Sequence, residues 1–184
     1  MSGSTNLFEA GTGLRGLSAQ EAKRINDSIT FVRQTSATKY SYDLSTLKFV
    51  AVNGMAQPGL CVNWTRIDAR TFLKPQLLSL MPESLMTGKT VLFNVSTPDS
   101  GGTLWPPILF HECGHALFDG SGSPNEPAAW RVELEVSLAW VGQNTTEKAA
   151  FKTFVQTRKA LKMYTSFPST AATSANEALG LLQA

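Results

Sequence analysis

The sequence predicts an α+β domain with its strands early and its helices late. Three observations carry this. The β-rich runs "KFVAVNG" and "KTVLFNVSTP" fall in the first hundred residues. The second half is a succession of helical patterns separated by short polar loops. The chain's 184 residues, 42% apolar and 16% charged, have the length and balance of one globular domain with a real core. That domain is expected over residues 18–168, with an N-terminal extension over 1–17 and a flexible tail over 169–184. No internal repeat is seen.

The elements follow in order. "LSAQEAKRINDSITFVRQ" opens with a capping box from Ser18 to Glu21 and reads as a first helix. "SATKYSYDLSTLKFVAVNG" reads as short strands, "KYSY" among them, ending in a turn signal. "ARTFLKPQLLSLM" is a short helix whose start Pro75 limits, and "KTVLFNVSTP" is a strand. Gly101 and Gly102 open the connection to "PPILFHECGHALF", a helix with prolines at first-turn positions, where a missing N–H costs nothing. Gly120 and Gly122 close it. "SPNEPAAWRVELEVSLAWVG" is the next helix, starting at Ser123 or Asn125 and stopped by Gly142. "TTEKAAFKTFVQTRKALKMY" is a third, capped by Thr145 or Thr146.

Composition excludes several functions. A net charge of +2 is too small to draw nucleic acid or an anionic membrane. Arg158, Lys159 and Lys162 form the nearest thing to a basic patch and are expected on a solvated helix face. No run of 18 apolar residues exists, so no membrane span is predicted. "MSGSTNLFEAGTGLRG" has no apolar leader core, so no secretory signal peptide is expected. Two cysteines, Cys61 and Cys113, are too few for a disulfide framework.

The chemistry concentrates in "HECGH". It holds both histidines of the chain, His111 and His115, with Glu112 directly after the first. Chance produces that spacing with that neighbour in roughly one sequence in two thousand of this composition. Four helical residues turn the chain by about 400° and raise it about 6 Å, so both imidazoles project from one face and can share an ion. Glu112, about 100° round the helix, flanks that ion without entering its coordination sphere and is placed to move a proton. Cys113, about 200° from His111, points into the core as a small hydrophobe. Gly114 leaves room for a neighbouring segment to come close.

A catalytic zinc needs a third protein ligand and an open position. No third histidine exists. Asp119 lies near the helix end, where a cap or turn role competes. Glu126, Glu133 and Glu135 on the following helix are the stronger candidates. Glu126 and Glu133, seven apart, lie about 20° from each other on one face, whereas Glu135 is about 180° from Glu126 and expected in solvent. Spacing does not choose between Glu126 and Glu133. The glutamate that is not a ligand is expected to hold a histidine or an arginine from behind.

"HECGH" followed by a glutamate-bearing helix resembles the zincin metallopeptidases, in the branch with glutamate as third ligand. "NEPAAWRVE" is similar to the second helix of small bacterial zincins, including effector and toxin peptidases and the regulator-cleaving phage-type peptidases. There a ligand glutamate is followed by a small residue and then a bulky apolar one, an order matched by Glu126, Ala129 and Trp130. The resemblance covers roughly residues 107–140. It implies a zincin-like fold, Zn2+ held by His111, His115 and Glu126, and hydrolysis of a protein or peptide substrate by a zinc-polarised water with Glu112 as general base. The longer spacing of thermolysin-like enzymes would favour Glu133 or Glu135 instead.

For the oxyanion, Tyr40, Tyr42, Tyr164, Arg131 or backbone N–H groups remain as stabilisers. By analogy with the family, the chain is expected to act as a toxin or effector delivered by a specialised export system. Two other readings stand beside this one. In the first, the metal is structural in a non-catalytic binding or regulatory domain. In the second, the motif is a core helix with no metal.

Overall fold

The computed structural model describes residues 7–10, 17–53, 55, 57–65, 78–79, 81–96, 105–118, 126–161 and 170–182. The architecture is α+β, as the sequence predicts. The chain forms two compact units, residues 1–98 and 99–184.

The first unit is a mixed sheet with one long helix. Its strands are β1 (Leu7–Ala10), β2 (Lys48–Val52), β3 (Gly59–Asn63) and β4 (Lys89–Asn94), in spatial order β1-β2-β4-β3. β1 and β4 flank β2 in parallel, with Phe49 opposite Leu7 and Val91, and β3 closes the sheet antiparallel to β4. Parallel neighbours need a long crossover, and helix α1 (Ala19–Lys39) supplies it between β1 and β2.

The Ser18–Glu21 capping box is formed as expected. Ile25, Ser28, Ile29, Val32 and Ser36 make the buried stripe of α1 at helical spacing. On the sheet, Val50, Val52, Val62 and Leu92 form a cluster with Met81. Phe49, Ala51, Val91 and Phe93 alternate with the sheet members of that cluster and are buried too, so both faces of β2 and β4 are covered.

Three expectations change in this unit. "KYSY" is not strand: α1 runs on to Lys39, and the N–H groups of Tyr40 and Tyr42 both return to the Ser36 carbonyl. Ser41, at φ 52°, makes the left-handed turn that ends the helix. The stretch read as an extension contributes β1, and "GLCVN" forms a strand that its weak alternation had hidden. Pro75 and most of "ARTFLKPQLLSLM" lie outside the described residues.

The second unit is helical. Its helices are α2 (Trp105–Phe118), α3 (Glu126–Gln143), α4 (Lys148–Ala160) and α5 (Thr170–Leu181). Pro106 and Pro107 sit in the first turn of α2, where no intrahelical donor is needed. α3 runs through Gly142 rather than stopping at it. A 3-10 turn, Thr145–Glu147, precedes α4, so neither Thr145 nor Thr146 caps that helix directly. Residues read as a tail include α5, which packs on α3 and α4 with Ala175 and Ala178 buried.

Core packing links the helices. Phe110 of α2 meets Trp140 of α3 edge to face, and Trp140 donates its indole N–H to Glu147 at 2.7 Å. Gly101, Gly102, Asp119, Gly120, Gly122, Ser123 and Asn125 are outside the described residues. No helix among the described residues is long and apolar enough to cross a membrane.

Candidate metal centre

Two helices build the site, and one glycine sets how closely they approach. Gly114 lies between the two histidines on α2. A Cβ placed there would sit 2.6 Å from the Cα of Ala129 and 3.0 Å from its carbonyl oxygen. The backbone of α3 therefore fills the space a side chain would need. The room expected beside Gly114 is used by the helix that carries the glutamates.

Glu126, three residues before Ala129, is brought by this crossing to the open side of both imidazoles. His111 Nε2 and His115 Nε2 are 3.1 Å apart. One carboxylate oxygen of Glu126 is 3.3 Å from His111 Nε2, and the other is 3.4 Å from His115 Nε2. The two histidines thus present the same ring nitrogen to one point, and the Glu126 carboxylate completes the triangle of residues by facing them with one oxygen each. These three residues form a group able to hold a metal ion.

The donor atoms lie close enough together to share one ion. With bonds of about 2.0–2.1 Å, neighbouring ligand atoms around a tetrahedral ion lie about 3.3–3.4 Å apart. The two Nε2 atoms here are 3.1 Å apart, and each lies 3.3 or 3.4 Å from a different oxygen of the one Glu126 carboxylate. Two neutral imidazoles and a carboxylate also suit a borderline divalent ion better than a hard one that prefers all-oxygen ligands. The donors fit a metal site with three protein ligands.

Electrostatics favour filling it. Burial alone would lower the His111 pKa. The Glu126 and Glu133 carboxylates against its ring, with the charges of Glu133 and Glu112, outweigh burial and raise it from 6.5 to about 9. The same contacts with His111 and His115 hold the Glu126 carboxyl well below the usual carboxylate range. A cation is thus wanted at this point whether or not a metal supplies it.

Glu133 takes the other side of His111. It is fully buried, and its Oε2 lies 3.2 Å from His111 Nδ1, close but without hydrogen-bond alignment. Carboxylates in this position orient metal-bound histidines. α3 therefore brackets one imidazole with two glutamates two turns apart, Glu126 at Nε2 and Glu133 at Nδ1. Glu135 is on the outer side of α3 and pairs with the exposed Arg131 at 3.3 Å. That pairing takes Arg131 to the solvent face rather than to the triangle.

The remaining predicted residues divide as follows. Glu112 is buried and follows His111 on α2. Cys113 is fully buried, and neither it nor Cys61 joins the ligand group. Tyr40 caps α1 and Tyr42 is exposed, both in the first unit. Tyr164 and Lys162 lie outside the described residues.

Sequence reasoning missed Arg158 and placed it on a solvated face. That expectation fails: the side chain is largely buried and donates from Nη1 to Glu133 Oε2 at 2.8 Å. Its guanidinium lies over the Phe154 ring at 4.6 Å. Two cues were available. Phe154 and Arg158 are four apart on one helix, and a glutamate that must be buried needs a cation. Lys159, by contrast, is exposed and bonds Asn176 across to α5.

Comparison with known proteins adds no relative. No protein-family model, curated protein or solved structure matches the chain.

Proposed function

We propose that the chain is a zinc-dependent endopeptidase of the zincin type, with His111, His115 and Glu126 as ligands and Glu112 as general base. The observation that carries this is the convergence of both Nε2 atoms and the Glu126 carboxylate on one point, with Glu112 next to His111. Three donors leave a fourth position open, whereas a structural zinc is normally closed by four protein ligands.

Zinc in this site would polarise both a water molecule and the peptide carbonyl it attacks. The chain's own groups supply the rest. His111 and His115 present Nε2, so each must be neutral there, with Nδ1 facing away. Glu133 faces Nδ1 of His111 and favours that tautomer. Glu112 is offset by about 100° from His111 on the helix, beside the ligand face rather than on it. From there its carboxylate takes a proton from the attacking water and delivers it to the departing amine.

The zincin-like fold and the role as an exported effector or toxin belong to the same proposal and rest on the resemblance of residues 107–140. Metal analysis of the purified chain and a peptide-library cleavage assay test the activity together. About one zinc per chain with chelator-sensitive cleavage is expected. Bound zinc with no cleavage of any peptide would favour a regulatory domain. No bound metal after zinc addition would remove both.

A further inference from the structure

The bond between Glu133 and Arg158 does more than neutralise a buried charge. Resting on the metal-binding reading above, we infer that Arg158 is a positioning residue of the metal centre. It acts through Glu133 on the orientation of His111, and so makes α4 part of the site.

A single oxygen carries the argument. Glu133 Oε2 is 2.8 Å from Arg158 Nη1 and 3.2 Å from His111 Nδ1. A carboxylate near an imidazole can turn about its own torsions, and the histidine turns with whatever it faces. The charge-assisted bond to arginine is the shorter of the two contacts and fixes where Oε2 sits. Arg158 is itself fixed. Its guanidinium is held over Phe154, one turn earlier on α4, and its side chain is 13% exposed. Phe154, Arg158, Glu133 and His111 thus form a continuous chain from α4 through α3 to α2.

Without Arg158, the fully buried Glu133 carboxylate would lose the cation bonded to its Oε2. Oε2 would have to swing toward another donor or toward water. His111 would then lose the group behind Nδ1 and could rotate away from the triangle. A residue that served packing alone would stabilise the helices without changing how the triangle holds its ion.

The test uses the full chain, with zinc affinity measured by competition against a chromogenic chelator and geometry read from the visible absorption of the cobalt-substituted protein. Arg158→Met should weaken zinc binding by about tenfold or more, the scale seen when outer partners of metal ligands are lost, and should shift the cobalt bands. A single N–H makes the contact, so Arg158→Lys, which keeps a cation at that oxygen, should stay within about threefold of wild type. In a Glu133→Gln background, which already lacks the carboxylate, adding Arg158→Met should weaken binding by no more than about twofold further.

That background also lacks the buried Glu133 anion. It therefore gives the answer even if Arg158→Met alone does not fold. Unchanged zinc affinity with only a lower melting temperature in Arg158→Met would overturn the inference. So would fully additive losses in the double variant, or a loss in Arg158→Lys as large as in Arg158→Met. A wild-type chain that takes up no zinc would instead overturn the metal reading itself.

Discussion

Gly114→Ala is a small change with a large expected consequence. The new methyl would lie 2.6 Å from Ala129 Cα, where carbon atoms in contact prefer about 3.5–4.0 Å. One helix must therefore retreat from the other by roughly 1 Å at the crossing. Glu126 is one turn from Ala129 on the retreating helix, while the histidines flank Gly114 on the other. The sides of 3.3 and 3.4 Å that join Glu126 to the histidines stretch by a similar amount. Bonds of about 2.0–2.1 Å to a shared ion cannot all survive that.

Overpacking costs about 1–3 kcal/mol, and alanine's better helix propensity returns about 1 kcal/mol. The metal-free variant should thus melt between unchanged and modestly lower, with zinc affinity falling by about tenfold or more. Thermal melts without metal and chelator competition with zinc read the two effects separately. Ala129→Gly should not rescue binding, because the two closest contacts are with backbone atoms that glycine keeps. A Gly114→Ala chain that binds zinc like wild type and melts higher would refute the close-approach argument.

Other outcomes follow from the ligand geometry. Glu126→Ala should cost more than about a hundredfold in zinc affinity, Glu133→Ala about 10–100-fold, and Glu135→Ala should stay within about 0.5 kcal/mol of wild-type stability; zinc titration and melting of the three give the ranking. His111 has its metal-free pKa raised to about 9 from 6.5. Its protonated form thus contributes stability fully below about 6.5, lost as pH rises through about 9. Zinc needs the neutral ring, so at pH about 7.5 binding should release a proton from His111, and above pH about 10 it should release none there; calorimetry in buffers of different ionisation enthalpy counts the protons. A chelator at neutral pH should abolish cleavage, with zinc restoring it, and acid pH should do the same by protonating the imidazoles.

Much of the centre could be read before folding because helical spacing is local. His111 and His115 needed only the turn of one helix, and the face shared by Glu126 and Glu133 needed only the turn of another. The split between those two glutamates was not local. It depends on where α3 crosses α2, which the contact between Gly114 and Ala129 decides. The pairing of Arg158 with Glu133 was not local either: 25 residues separate them, and only packing of α4 on α3 joins them. In the first unit, β2 and β4 announced themselves by continuous apolar runs, as strands buried on both faces do. "KYSY" misled because tyrosine favours strands, while the helix preceding it had the momentum of a capped, amphipathic stripe to carry it to Lys39. β3 lacked any such run, and its pairing with β4 supplies what its sequence does not.

The most direct test of a zinc endopeptidase is a comparison of new protein N-termini generated by wild type and by Glu112→Gln. Both proteins are exposed to the same complex peptide or proteome mixture, and the zinc content of each is measured alongside. A zinc endopeptidase should give a defined set of new N-termini with wild type, none above background with Glu112→Gln, and about one zinc per chain in both, since the base is lost while the ligands stay. New N-termini from Glu112→Gln at the wild-type rate, with its zinc in place, would contradict it.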